Sequence, residues 1–134
     1  MGCTDEELRS QLERLEARNR AQVEVILSYG VDLNKKRQID LSFWAPNETA
    51  AMTFAEACKR SEMPPDAVRP PVPVGTDRRW LVTCAIEATV TFMTTTDNVA
   101  TFIMFADKFD CEYDGWGTAI VEATGTIPRK PNPS

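Results

Sequence analysis

The chain has 134 residues, 43% of them hydrophobic and 26% charged, with a formal charge of −5 and no histidine. That length suits one domain on a single core, and the balance excludes disordered and membrane-spanning classes. The acidity disfavours unspecific phosphate binding and favours a basic protein partner, while the lack of histidine, with four widely spaced cysteines and no C-x-x-C, removes the usual zinc ligand sets.

The N-terminus is acidic and lacks the apolar core of a secretory signal. Met1-Gly2-Cys3 does not open a myristoylation pattern, because Glu6 stands where Ser or Thr is needed. Thr4 and Glu7 form a capping box for a helix on which Leu8, Leu12, Leu15, Val23 and Ile26 or Leu27 recur at helical spacing. The helix either runs on to Gly30 or breaks near Asn19. Its leucine stripe packs on its own domain or pairs with a second chain, so both a monomer and a homodimer fit.

Alternation from Arg37 to Phe43 predicts a half-buried strand with Ile39, Leu41 and Phe43 inward. Asn47 caps a helix to about Arg60, with Ala51, Phe54, Ala55 and Cys58 on its apolar face, and Pro64-Pro65 stops it. Pro64, Pro65, Pro70, Pro71 and Pro73 restrict residues 64–79 to a loop and a short edge strand. Trp80 to Ala88 reads as a buried strand, with Trp80, Val82, Cys84 and Ile86 on one face. Thr96 or Asp97 starts a helix whose core face is Val99, Phe102, Ile103, Ala106 and Phe109. Met104 and Phe105 widen that face toward the first helix. A last strand is expected from Tyr113 to Val121, followed by a tail. Setting aside the first helix, the order is β-α-β-β-α-β, an α+β class in which a ferredoxin-like α/β sandwich carries its helices on one face of an antiparallel sheet.

Cys3, Cys58, Cys84 and Cys111 are widely spaced with no C-x-x-C, which fits free thiols in a reducing cytoplasm. Asp110-x-Glu112-x-Asp114-Gly115 imitates half an EF-hand loop, but Val121 stands where the closing Glu belongs, so a solvated acidic turn is expected in its place. Pro70-Pro71-Val72-Pro73 is read as a stiff connector rather than a P-x-x-P ligand. No P-loop, nucleophile elbow or dinucleotide fingerprint is present, and Trp80 to Ile86 lacks the aromatic and basic pattern of an RNA-binding sheet. No enzyme activity, cofactor, metal or direct nucleic-acid contact is therefore expected. Trp80 is assigned to the core, whereas Trp44, at the end of its strand, and Trp116 with Tyr113, in a Gly-flanked turn, form a candidate partly exposed recognition patch.

The segment Glu112-Tyr113-Asp114-Gly115-Trp116-Gly117 resembles a hallmark of the regulator of ribonuclease activity B (RraB) domain, an acid-Gly-Trp turn leading into the last strand. The Gly30-Val31-Asp32 helix exit, Phe43, Phe54-Ala55 and Trp80 extend the resemblance over about Ala21 to Glu122. It divides the chain into a charged helical extension at 1–20, an RraB-like domain at 21–125 and a disordered tail at 126–134. The charged helix Thr4 to Arg20 and the proline-rich edge differ from typical members. The resemblance implies an α/β sandwich and a non-enzymatic cytoplasmic regulator that binds ribonuclease E, or another basic protein, and restrains RNA turnover. Trp44, Tyr113, Asp114 and Trp116 are then the candidate protein-binding residues, with Gly115 serving the turn. A small-molecule-binding or enzymatic ferredoxin-like domain and an immunity or antitoxin-like protein are the alternatives.

Overall fold

The computed structural model describes residues 4–119, 121–122 and 125–126, with side-chain surroundings defined over 4–119. The expected tail, except for the backbone of Thr126, and the Met1-Gly2-Cys3 start lie outside the described residues.

The first helix, α1, runs Asp5–Ser28 behind the expected capping box: Thr4 Oγ1 accepts from the Glu7 amide at 3.1 Å, and Glu7 Oε1 accepts from the Thr4 amide at 2.8 Å. Three acids in its first turn complement the helix dipole. It exits at Gly30, whose φ of +73° is a conformation natural to glycine, with the Gly30 amide on the Leu27 carbonyl at 2.9 Å. No break occurs near Asn19, and the helix is continuous across the boundary drawn at residue 20. The side chains of Asn19 and Gln22 bond to a distant strand instead of competing for the local backbone, which removes the cause of a break.

Strand β1 covers Arg37–Ala45, α2 Glu48–Arg60, β2 Pro65–Arg69, β3 Trp80–Ala88, α3 Val90–Thr94, α4 Thr96–Asp107 and β4 Glu112–Gly117. β5 (Val121–Glu122) and β6 (Gly125–Thr126) pair with each other in a separate small sheet. The fold is thus mixed α+β, with a four-stranded sheet in the order β2-β3-β1-β4 and every neighbouring pair antiparallel. Two expectations are corrected. The final strand stops at Gly117 and not at Val121, where Thr118 turns its hydroxyl to donate to the Gln38 carbonyl at 2.7 Å. Helix α3 was also unforeseen: it spans only five residues, too few for periodicity to reveal, and is capped by Thr89 Oγ1 accepting from the Phe92 amide at 2.9 Å.

β1 is the central element of the core. Ile39, Leu41, Phe43 and Ala45 are wholly buried, and alternate residues face the other side of the sheet. Phe43 meets Phe54 of α2 at 4.6 Å between ring centroids, and Phe54 in turn meets Phe105 and Phe109 at 5.4 and 5.8 Å. Phe105 thus meets α2 through Phe54 and, with Leu8 and the exposed Met104, borders an apolar hollow between α1 and α4. Val82 and Cys84 are buried as expected, whereas Trp80 and Ile86 are only half-buried against the core. Cys58, Cys84 and Cys111 are buried and free. The Cys58 thiol is pushed up by its hydrogen bond with Cys84 and by burial, so it packs as a neutral small hydrophobe.

Candidate protein-docking site

Trp44 sits one residue from the end of β1, on the face opposite Phe43, with Leu81 of β3 and Glu112 of β4 as its cross-strand neighbours. Over its ring lies the guanidinium of Arg79, 4.6 Å from the centroid. That placement is fixed by Asp77, which accepts from Arg79 Nε at 3.1 Å and from Nη2 at 2.9 Å, and by Glu112 at 3.7 Å. A forked pair of this kind holds a planar cation against an aromatic face better than a single bond could. The same bonds hold the exposed Asp77 carboxyl well below the usual range, at about 2. Glu112 also accepts from Arg14 of α1 at 3.1 Å, so one carboxylate ties α1 to the β3 entrance. Beside this cluster opens a cleft of about 610 Å³ between α1, the end of β1 and the α4–β4 turn. Cys111, on its wall, donates its thiol to the Phe109 carbonyl at 3.4 Å, and burial and Asp110 raise its pKa to about 12, so it lines the cleft as a neutral group.

Tyr113 and Trp116 are placed quite differently. Each is 1% exposed, which corrects the expectation that they join Trp44 in a partly exposed patch. Two residues three apart on a regular strand point to opposite faces, yet both point inward here. The cause is a β-bulge: Phe43 pairs with Tyr113, Ser42 with Gly115 and Leu41 with Trp116, leaving Asp114 without an opposite number. Gly115 takes φ of +101° at this point, and a Cβ there would lie 3.4 Å from the Arg18 side chain. The extra residue resets the alternation, so both aromatics fall on the face of Leu41 and Phe43. Tyr113 then packs on Phe43 and Phe102 at 5.3 and 5.2 Å. Its hydroxyl has no hydrogen-bond partner among the described residues, and burial raises its pKa.

Trp116 is held by two polar residues of α1 that the sequence reading did not single out. Its indole Nε1 donates to Asn19 Oδ1 at 2.9 Å, and its carbonyl accepts from Gln22 Nε2 at 2.9 Å. Asp114, its side chain 20% exposed, pairs with Arg18 at 3.5 Å. Arg14, Arg18 and Gln22 thus meet Glu112, Asp114 and Trp116 in order. Four helical residues rise roughly 6 Å and two strand residues roughly 6.6 Å, so α1 lies alongside β4 in step with it. The signal in the sequence is the run Leu8, Leu12, Leu15, Asn19, Gln22, Ile26, which keeps a core spacing through two polar residues. Buried polar groups at core positions imply partners elsewhere in the chain.

Among the described residues no group of three or more Cys, Asp and Glu is arranged to hold a metal ion, and no helix is long and apolar enough to cross a membrane. Nothing among the curated proteins matches the chain. The family model described as regulator of ribonuclease activity B matches residues 16–118, which include all of β1 to β4, the bulge, and the Asn19 and Gln22 contacts to Trp116. Over that span, which takes in most of the chain, the protein belongs to the RraB family.

Proposed function

We propose that this chain is a non-enzymatic cytoplasmic regulator that restrains RNA turnover by binding a ribonuclease, of the ribonuclease E type, through the Trp44 end of its sheet. The family match over residues 16–118 carries this reading, since the family is described as regulating ribonuclease activity. Trp44 is the candidate aromatic left half-buried beside a charged cleft, the setting in which a tryptophan serves recognition. In this reading Trp44 touches the partner and Asp114 lies at the rim, while Tyr113, Trp116 and Gly115 hold β4 in place for it. The strand order and the helices joining β1 to β2 and β3 to β4 support a ferredoxin-like sandwich to which α1 is added.

The test is cleavage of a structured RNA by purified ribonuclease E with increasing amounts of this protein. Slowed cleavage, relieved by Trp44→Ala in a variant that melts like the parent, is the expected result. Unchanged cleavage at saturating protein, together with no complex by sedimentation, overturns the reading.

A further inference from the structure

Trp44 and Arg79 border two hollows at once. On the α1 side is the cleft of about 610 Å³, where the carboxylates of Glu7, Asp107, Asp110 and Glu112 outnumber the guanidiniums of Arg14 and Arg79. On the other side is a hollow of about 180 Å³ walled mainly by the apolar surface of Pro70, Pro71, Val72 and Leu81, with Arg69 and Asp77 also on its wall. The stacked pair is a ridge between an acidic and an apolar basin. Val72 and Val74 leave 64% and 83% of their surface to solvent on the proline-rich loop that closes the second basin. A loop with Pro70, Pro71 and Pro73 loses little freedom when a partner settles on it, so its exposed valines are favourable apolar contacts.

We propose that this double basin docks an extended segment of a partner protein carrying an Arg or Lys and an aliphatic residue two positions apart. The inference rests on the protein-binding reading above and names the chemistry of the partner at that site. Side chains two apart on an extended chain point the same way and stand roughly 6.6 Å from each other, so one segment can present both groups to two basins that share the Trp44–Arg79 wall. The basic group enters the cleft with excess carboxylate, in keeping with the chain's formal charge of −5. The aliphatic group covers Leu81, Val72 and the free edge of the Trp44 ring.

The probe is a fluorescein-labelled synthetic peptide containing Arg-Ser-Leu flanked by Gly and Ser, titrated against the full chain by anisotropy. Control peptides replace Arg by Glu or Leu by Ser. Binding of the Arg-Ser-Leu peptide is expected to fall about tenfold with either replacement, and about tenfold with Trp44→Ala. Val72→Ser, on the exposed loop, weakens binding of the Arg-Ser-Leu peptide but not of the Arg-Ser-Ser peptide. Glu112→Gln weakens the arginine peptides and flattens their salt dependence. A glutamate peptide binding as tightly as the arginine one, or a Val72→Ser and Trp44→Ala pair that both leave affinity unchanged, overturns the proposal. Inhibition of ribonuclease E that survives Trp44→Ala also overturns the docking site while the regulatory reading stands. Peptide binding with the expected variant pattern, with cleavage unchanged at saturating protein and no ribonuclease complex by sedimentation, supports the docking site and overturns the regulatory reading.

Discussion

Trp116 and Trp44 lie on neighbouring strands, yet one is 1% exposed and held by hydrogen bonds to α1 while the other is half-buried under an arginine at the mouth of a cleft. Both stand where sequence suggests a recognition aromatic. What separates them is the Asp114–Gly115 bulge, which turns Trp116 to the face of Leu41, whereas Trp44 keeps the regular alternation of β1 and stays opposite Phe43. The acid-Gly-Trp pattern therefore specifies a backbone step that seats a core tryptophan. In the function proposed above, recognition falls to Trp44, a tryptophan outside that pattern.

The comparison breaks most sharply at Trp116→Ala, which removes a buried ring and is expected to cost about 3–5 kcal/mol of stability in urea or thermal unfolding. A loss below 1 kcal/mol would mean that the ring is not anchored as described. Asn19→Ala leaves the indole N–H buried without its acceptor, so a loss of about 1–3 kcal/mol is expected, with the tryptophan emission changed in the same titration. Gly115→Ala forces a side chain into φ of +101° and against Arg18, for a further expected loss of about 1–3 kcal/mol. If Gly115→Ala is neutral, the bulge is not what holds the two aromatics inward.

Tyr113 sharpens the comparison through pH. Burial favours its neutral form in the folded state, so its folded pKa is raised above the unfolded value of about 10. Its contribution is complete below that pH and is lost as pH rises through and beyond it. Tyr113→Phe is expected to hold or slightly raise stability at neutral pH, since a hydroxyl without a partner among the described residues is removed, and to lessen the alkaline decline. An equal decline in parent and variant would place the titration elsewhere. Among the losses, the smallest expected belongs to Trp44→Ala, about 1 kcal/mol from the lost cation–π contact and partial burial. Its effect on partner binding is expected to exceed its effect on melting.

Much of the architecture was legible from local pattern. The Thr4 and Asn47 caps, the alternation of β1, the proline-limited edge and the inward residues of α4 lie where sequence predicts them, because each depends on neighbours within a turn or a strand step. The five-residue α3 fell below the length that periodicity can register. At the site, the partial exposure of Trp44 was legible, but Gly115, expected in a turn, stands inside β4 at a bulge, and the orientation of Tyr113 and Trp116 was not legible either. One bulged residue inverts the parity of everything beyond it, and its presence is settled by pairing with β1.

The sequence by itself thus determined the class of each major element, the helix caps at Thr4 and Asn47 and the family to which the segment around Trp116 points. Only the tertiary structure decided what those residues face. Asn19 marks an alternative helix break in the sequence, yet it and Gln22 meet Trp116, 97 and 94 residues away. Arg79 reads as one more loop charge until Asp77 and Glu112 fix it over Trp44. Short-range propensity and capping act through neighbouring backbone groups and are written in consecutive residues. Burial of polar groups and stacking of charge on an aromatic ring depend on which distant surfaces the packed core brings together.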